Sequence, residues 1–486
     1  MDVKEALAQL KLGNFKVDKY DDNCACFFHD LKGFYRKSGV WFENCLDLSI
    51  CQLLIDPDLK RVRKMQHAEE IVSLLEKILE FELSRVSDLE NRLTYVIGLM
   101  EGRGVKLDLK KLDRLNRLLL ERIDNVESEI KNLTGRSLNL NSPKQVEKLL
   151  FEELKLPTSG IRKTKTGLST DADTLAYLSQ FNDVAKRLSD YRLYQKLLTG
   201  FVRPLLTKSD ARGIVYPRIN QLGTATGRVT YVNPNLQNVP AKDDLGKLIR
   251  ECVIASEGRV FIRADYSQIE LRVLAHLSND SYLVDAFRND KDIHKETARL
   301  IFDLESVDQV TTETRAVGKI INYSILYGMT AFGLAKSLKV SESEAGLLLK
   351  NFFQKLLGVN SYFENQIRTA NQLGYVRSLL GRIRRVDKFK KGERERIIKN
   401  SPIQASSADI IKLAMINIQK KLKQLNIDND VFIQLQVHDE LLVNAPSELC
   451  DEVSRIVKHE MENVITLRVP LIVEVGIGES WKAAMR

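Results

Sequence analysis

The sequence predicts an α+β fold, in which a small, largely antiparallel sheet is assembled from non-contiguous segments with helical insertions between them. Residues from about 89 to 200 set apolar side chains at helical spacing, with Glu, Lys and Arg elsewhere. From about 214 the chain turns rich in β-branched residues, Gly and Asn, and RVFIRADYSQIELRVLAHLS then runs from strand into helix. The segment 430–486 reads as strand, helix and strand.

Each element has its own reason. Residues 1–88 mix short apolar runs (CACFFHDLKGFY, LDLSICQLLIDP) with a helical stretch. LENRLTYVIGLMEGRGVKLDLKKLDRLNRLLLERIDNVESEIKNL is the strongest helical pattern. After it, Asn141 or Ser142 caps a helix that has Pro143 at its first position. The basic loop GIRKTKTGLST (160–170) reads equally as a solvated loop and as a clamp on a phosphate backbone. IVYPRINQLGTATGRVTYVNPNLQNVP reads as strands and loops, and residues 280–400 are helical again. The run VFIQLQVHDELLV, from Val431 to Val443, is a buried strand or hairpin, followed by a helix (SELCDEVSRIVKHEMENV) and a last strand (VPLIVEVG).

The chain has 486 residues, of which 44% are hydrophobic, so it is globular and large enough for several sub-domains. No apolar run reaches the roughly 18 residues a membrane helix needs, and the first residues lack the apolar stretch of a signal peptide. The expected setting is a cytoplasm, in a bacterial or viral-encoded context or inside an organelle, and the expected state is a monomer. Lys and Arg number 74 against 65 acidic residues, a net +9 that suits a polyanionic partner. Six cysteines form no regular framework, as expected in a reducing compartment. Cys24, Cys26, His29 and Cys45 match no standard zinc spacing, and ordinary buried thiols are expected.

Two features carry chemistry. His438, Asp439 and Glu440 interrupt an apolar run, where carboxylates are costly unless something compensates them. Asp265 likewise ends an apolar strand. Set on neighbouring strands, Asp265 and Asp439 would repel unless divalent cations bridged them, and hard oxygen ligands suit Mg²⁺. A pair of such ions about 3.5–4 Å apart serves phosphoryl transfer. The second feature is a stripe: Arg315, Lys319, Tyr323 and Tyr327 recur every fourth position. On a helix they wind slowly over about 18 Å. Two cations followed by two aromatics match a nucleoside triphosphate, with polyphosphate at one end and sugar and base at the other. Lys319 is placed to protonate a leaving pyrophosphate. Gly328 permits a bend or cap after Tyr327.

DYSQIELR (265–272), RAVGKIINYSILYG (315–328) and QVHDE (436–440) resemble motifs A, B and C of family A DNA polymerases, in that order. TATGRVTYVNPNLQNVP, KDIHKETA, GYVRSLLGR and NSPIQASSADIIKLAM resemble flanking motifs of the same family, and the resemblance covers about residues 90–486. It implies a right-hand polymerase fold with an antiparallel palm sheet, helical fingers and a helical thumb. The implied parts are residues 89–215, mainly thumb with an adjoining palm segment; 216–279, the palm with motif A; 280–404, the fingers with motif B; and 405–486, the second palm segment with motif C. It implies two Mg²⁺ ions, replaceable by Mn²⁺, on Asp265, Asp439 and the backbone carbonyl of Tyr266, with primer–template DNA and dNTPs as partners. Arg315, Lys319, Tyr323, His294, Gln268 and Glu270 would bind the dNTP, Glu270 excluding a 2′-hydroxyl. Arg228, Tyr327, Gly328, Arg396, Asn400, Gln404 and His438 would contact template and primer. Glu440 would be a secondary acidic neighbour. Many relatives carry Phe where this chain has Tyr323, so weak discrimination against dideoxynucleotides is expected.

Residues 1–88 resemble a proofreading exonuclease domain in degenerate form. In HDLKGFYRK, Gly33–Phe34 stands where that family's pattern has a carboxylate, the earlier carboxylate pair has no counterpart, and Asp47 alone cannot hold two metals. The expectation is an inactive α/β platform, with no room for a 5′-nuclease domain. The basic run RIRRVDKFKKGERER (382–396) is expected to contact DNA phosphates. Two rival readings are an RNA polymerase or RNA-copying enzyme on the same fold, and a catalytically silent DNA-binding protein.

Overall fold

A computed structural model describes residues 1–12, 14–20, 24–38, 45–59, 61–164 and 167–485. The chain groups into two compact units. One comprises Met1–Arg103, Ile219–Thr230 and Gly258–Ile477; the other comprises Gly104–Arg218, Tyr231–Glu257 and Gly478–Arg486.

The centre of the first unit is a four-stranded sheet of β1 (Arg259–Tyr266), β2 (Phe432–Val437), β3 (Glu440–Pro446) and β4 (Val473–Gly478), in the order β2-β3-β1-β4. The run that opens at Val431 is a hairpin. β2 and β3 pair antiparallel with Val437 opposite Glu440, leaving His438 and Asp439 as a two-residue turn. A bulge near Gln434 shifts the register within β2. β1 pairs antiparallel with β3 and sets Asp265 directly opposite Glu440. Phe261, Ala264, Leu441 and Val443 are fully buried, so the strand ends that carry the charges are anchored in apolar packing.

Helices of the same unit frame that sheet. We label α1 (Ser84–Arg103), α2 (Ile269–Ser278), α3 (Ile293–Ile301), α4 (Thr312–Leu326) and α5 (Lys391–Gln424). α2 starts just beyond β1, so RVFIRADYSQIELRVLAHLS runs from strand into helix as expected. α3 and α4 lie close enough that a Cβ on Gly318 would stand 2.4 Å from the His294 carbonyl oxygen, which is why a glycine sits there. α5 runs 34 residues and contains Pro402. It spans about 50 Å, and Ser406 Oγ donates to the Pro402 carbonyl at 2.6 Å.

A buried ionic cluster ties α1 and α5 to the chain around Arg382. Arg382 Nε donates to Asp409 Oδ1 at 2.8 Å, its Nη2 pairs with Glu90, and Lys412 Nζ reaches Glu90 Oε1 at 2.6 Å. All four side chains are at most 3% exposed. Burial pushes the Lys412 ammonium down to about 8. Burial works against the Glu90 carboxylate, but Lys412 and Arg382 outweigh it and hold its pKa below the ordinary value.

The amino-terminal part of this unit is an α/β layer. Strands Phe15–Val17, Ala25–Phe28 and Cys45–Asp47 pair in parallel in chain order, with helices Val3–Lys11, Leu31–Ser38, Leu48–Ile55 and Ala68–Glu80 around them. Its core includes Phe27, Leu46, Leu54, Ile71 and Leu75, and extends to Ile383.

The second unit is mostly helical. The helix Leu109–Thr134 buries Leu112, Leu115, Leu119, Ile123, Val126 and Ile130, a stripe at steps of three and four that packs on the helix Asp183–Leu197. Asp108 caps its start and Gly135 (φ 73°) its end. Ser142 is the cap ahead of Pro143. Lys165 and Thr166 of the basic loop lie outside the described residues.

Candidate active site

The hairpin turn supplies the first carboxylate. His438 adopts φ 54°, the left-handed conformation a two-residue turn requires. Asp439 follows, and its carbonyl accepts from Tyr266 N at 3.1 Å, which locks the turn against the end of β1. Of the two readings, strand or hairpin, the hairpin holds, and Asp439 lies in its turn between the strands. The Tyr266 phenol donates to Met461 O at 2.7 Å, so the group this residue can offer to a metal is its carbonyl.

Asp265 and Glu440 face each other across β1 and β3, and a single guanidinium serves both. Arg263 Nε pairs with Glu440 Oε2 and Arg263 Nη2 with Asp265 Oδ2. Burial pushes the Asp265 carboxyl up to about 6; Arg263 draws it down, while Glu440 and Asp439 push it further up. Asp439 is likewise raised, by burial first and by Glu440, with Arg228 and His438 opposing. Arg263 is absent from the sequence reading. The signal was available: side chains two apart on a strand share a face, so Arg263 had to stand beside Asp265.

Glu270, in the first turn of α2, is 6% exposed, and Arg228 Nη2 pairs with its Oε1 at 2.5 Å. Arg228, predicted to touch DNA, is thus engaged inside the protein. Gln268 precedes α2 in the left-handed region (φ 54°).

On α4, Arg315 Nε pairs with Asp292 Oδ2 at 2.8 Å, and Lys319 is exposed. Asp292 caps α3 and so couples the two helices. The His294 ring on α3 lies 6.0 Å from the Tyr323 ring and meets Asn322 Nδ2 at 3.1 Å. His294 is only 3% exposed. Burial pushes it down to about 4, with Arg315 and Lys319 acting in the same direction. The stripe is shorter than the sequence suggested: Arg315, Lys319 and Tyr323 lie on α4, while Tyr327 is its C-cap. The Tyr323 hydroxyl is raised by burial and then by Glu270, Asp439 and Asp265. Helix and carboxylates therefore act on one space.

Beyond Tyr327 the chain bends at Gly328 (φ 59°), where a Cβ would sit 3.1 Å from Arg396 Cα. A cavity of about 410 Å³ opens there, lined by Thr224, Thr226, Tyr327, Arg396, Asn400 and Gln404 among others. Thr226 Oγ1 donates to Gln404 Oε1 at 2.7 Å, and Asn400 Nδ2 to Leu326 O at 2.9 Å. Four of the seven predicted template and primer residues line this cavity, Gly328 adjoins it, and Arg228 and His438 are not in its lining. Thr226, Asp292 and Asn322 went unread because each acts through a partner remote in sequence.

The sequence pattern of DNA polymerase family A matches residues 109–483. The chain belongs to this family. Among similar proteins of the family, DNA polymerase I of Caldicellulosiruptor bescii is 40% identical over 93% of this chain and 57% of its own length. DNA polymerase I of Bacillus caldotenax is 41% identical over 81% of this chain and 45% of its own. The chain spans about half the length of the curated relatives it matches. The POL domain of Pol1 from M. smegmatis, solved in complex with DNA primer-template and dNTP, superposes with a TM-score of 0.89 at 32% identity, covering 96% of this chain and 88% of that one. The fold is accordingly the α+β right hand of family A polymerases.

In this family A chain the amino-terminal carboxylate is committed elsewhere. Asp47 is 5% exposed and accepts from Leu31 N (2.9 Å), Ser49 N (2.8 Å) and Ile50 N (3.2 Å), as a helix cap does. Burial raises its pKa to about 6. Cys24, Cys26 and Cys45 pack with Phe28 and Leu31, and both His29 ring nitrogens are engaged, Nδ1 with Asp18 (3.0 Å) and Nε2 with Met65 N (2.7 Å). The basic run is a correction. Arg382 is core, Arg384 Nη1 pairs with Asp58 at 2.6 Å, and Arg385 Nε donates to Ile55 O at 3.3 Å. Much of that charge is engaged within the protein, while Arg384 and Arg396 also line the cavity beside Tyr327. No helix of the described residues is long and apolar enough to cross a membrane.

Proposed function

We propose that the chain, acting as a monomer, extends a primer 3′-hydroxyl with dNTPs on a DNA template. The observation that carries this reading is the packing of α4, with Arg315, Lys319 and Tyr323, against α3 with His294 and against α2, which carries Glu270 and starts just after Asp265. Among the described residues no three His, Cys, Asp or Glu side chains form a closed metal site. Asp265 and Asp439 offer hard carboxylate oxygens and leave other positions to water and substrate, which suits Mg²⁺. Asp265, Asp439 and the Tyr266 carbonyl would hold two Mg²⁺ ions (or Mn²⁺ in their place), which would supply Lewis-acid activation of the attacking oxygen and stabilisation of the leaving one.

The chain's own groups do the rest. The primer oxygen bonds to the α-phosphorus, the bond to the bridging oxygen breaks, and pyrophosphate leaves. Arg315 and Lys319 hold the polyphosphate, with Lys319 placed to give a proton to the leaving group. His294, neutral at physiological pH, packs beside Tyr323 and donates to the triphosphate. Gln268 borders the same substrate. Glu270, held by Arg228, forms the floor under the sugar and leaves no room for a 2′-hydroxyl. Tyr327 and Gly328 border the templating base. Arg396, Asn400, Gln404 and His438 contact primer and template in the minor groove, Arg228 joining them once substrate competes for its pair with Glu270. The amino-terminal part has no 3′→5′ exonuclease activity.

Primer extension with Mg²⁺ tests the reading. Asp439→Ala should lower the rate by on the order of 10³-fold while primer–template binding persists. Extension within about tenfold of the parent would refute it. Parallel reactions with rNTPs and on an RNA template separate the RNA-directed alternatives.

A further inference from the structure

Arg263 projects from β1 onto the face that carries Asp265, and its guanidinium bonds two carboxylates at once. Its side chain is 16% exposed, that of Glu440 10% and that of Asp265 32%. Asp265, Asp439 and Glu440 would otherwise stand as three carboxylates around one strand end and one turn. Like charges at that spacing repel strongly in a half-buried setting. The fold supplies its own compensating cation, using one fork of the guanidinium for each partner.

We propose that Arg263 is a built-in counter-cation that competes with divalent metal for Asp265, so that the site takes up its metal with the incoming nucleotide and not in advance. This rests on the polymerase reading above. Asp265 Oδ2, the oxygen that Arg263 holds, is one of the two oxygens this carboxylate can offer a metal. A metal arriving alone must displace the guanidinium or bind beside a positive charge. A metal arriving with a triphosphate brings negative charge, which offsets the repulsion and gives the freed guanidinium Glu440 as its remaining partner. Arg263 is thus a positioning residue that sets metal affinity through Asp265 and Glu440, not a residue that touches the reacting atoms.

The test reads metal binding without turnover. Mn²⁺ binding to the nucleotide-free chain is measured by electron paramagnetic resonance for the parent, Arg263→Gln and Arg263→Lys. Arg263→Gln should bind Mn²⁺ about tenfold or more tightly, and Arg263→Lys, which keeps the charge, should stay within about threefold of the parent. Equal or weaker binding by folded Arg263→Gln overturns the proposal. A crystal structure of the parent soaked in Mn²⁺ provides a second measurement should Arg263→Gln not fold. Arg263 should have left Asp265, and metal on Asp265 with both ion pairs intact overturns the proposal. Either failure is distinguishable from failure of the polymerase reading, because that reading falls only if Asp439→Ala still extends primers.

Discussion

Tyr323 is the residue whose chemistry is most open to measurement. Its hydroxyl is half-buried beside His294 and within the field of Glu270, Asp439 and Asp265. A hydroxyl in that position can replace the hydrogen bond lost when a nucleotide lacks its 3′-hydroxyl. The parent should therefore use ddNTPs nearly as well as dNTPs. Tyr323→Phe should increase discrimination by about 10–100-fold, the worth of one hydrogen bond to a charged group such as the triphosphate. Competing ddNTP and dNTP incorporation on one template measures it, and equal ratios in the two proteins would refute the role. Residues of this kind were legible because the motif fixes identity and helical period fixes direction: Arg315, Lys319 and Tyr323 follow from spacing alone. Arg263, Asp292 and Asn322 were not read. Their meaning lies in a partner across a strand or on another helix, and one sequence without its contacts does not pair them.

At the scale of elements, the hairpin Tyr375–Arg377 and Ile383–Arg385 shows where sequence reading fails for a physical reason. A run of Arg and Lys looks solvated because burying charge is expensive. Here Arg382 is buried because Glu90 and Asp409, far away in the chain, converge on it with Lys412. The cluster joins α1, α5 and the hairpin, and Gln221 enters it through its carbonyl, which accepts from Lys412 Nζ at 3.0 Å. A Cβ on Gly227 would meet the Arg382 guanidinium at 2.6 Å, so the segment bearing Thr226 and Arg228 rests directly on it. Arg382→Met leaves two buried carboxylates with one lysine between them. It should cost about 3–5 kcal/mol of stability, read as a lower urea midpoint at unchanged slope. A loss below about 1 kcal/mol would mean the cluster relaxes and that Arg382 is no keystone. The helix start at Pro143 was more legible, since a cap residue ahead of a proline is a local rule that needs no distant partner, and the structure selects Ser142 of the two candidates.

For the whole molecule, the net +9 says little about where DNA would lie, because some of its cations, Arg382 and Lys412 in the buried cluster and Arg385 on the Ile55 carbonyl, are engaged internally. That bears on residues 1–88. Their core cluster takes in Ile383, with Tyr375 and Leu380 packed against it. Arg377 Nη1 donates to Phe81 O at 2.8 Å, Arg385 stacks over the Phe81 ring, and Lys388 pairs with Asp58 at 2.5 Å. Lys32 Nζ reaches Glu101 Oε1 on α1 at 2.8 Å. The layer is thus bonded to the hairpin and to the helix that carries Glu90, while Asp47 accepts from three backbone amides. These contacts support a structural role for the layer, and they motivate the proposal that it has no nuclease activity. Deleting residues 1–83 should expose Ile383 and leave Arg384 and Arg385 unpaired, giving a chain that aggregates or melts well below the parent. A 5′-labelled single-stranded primer incubated with the full chain and Mg²⁺ should keep its length. Two outcomes would sink this view: a truncated chain as stable as the parent, or shortening of the primer that Asp47→Ala abolishes.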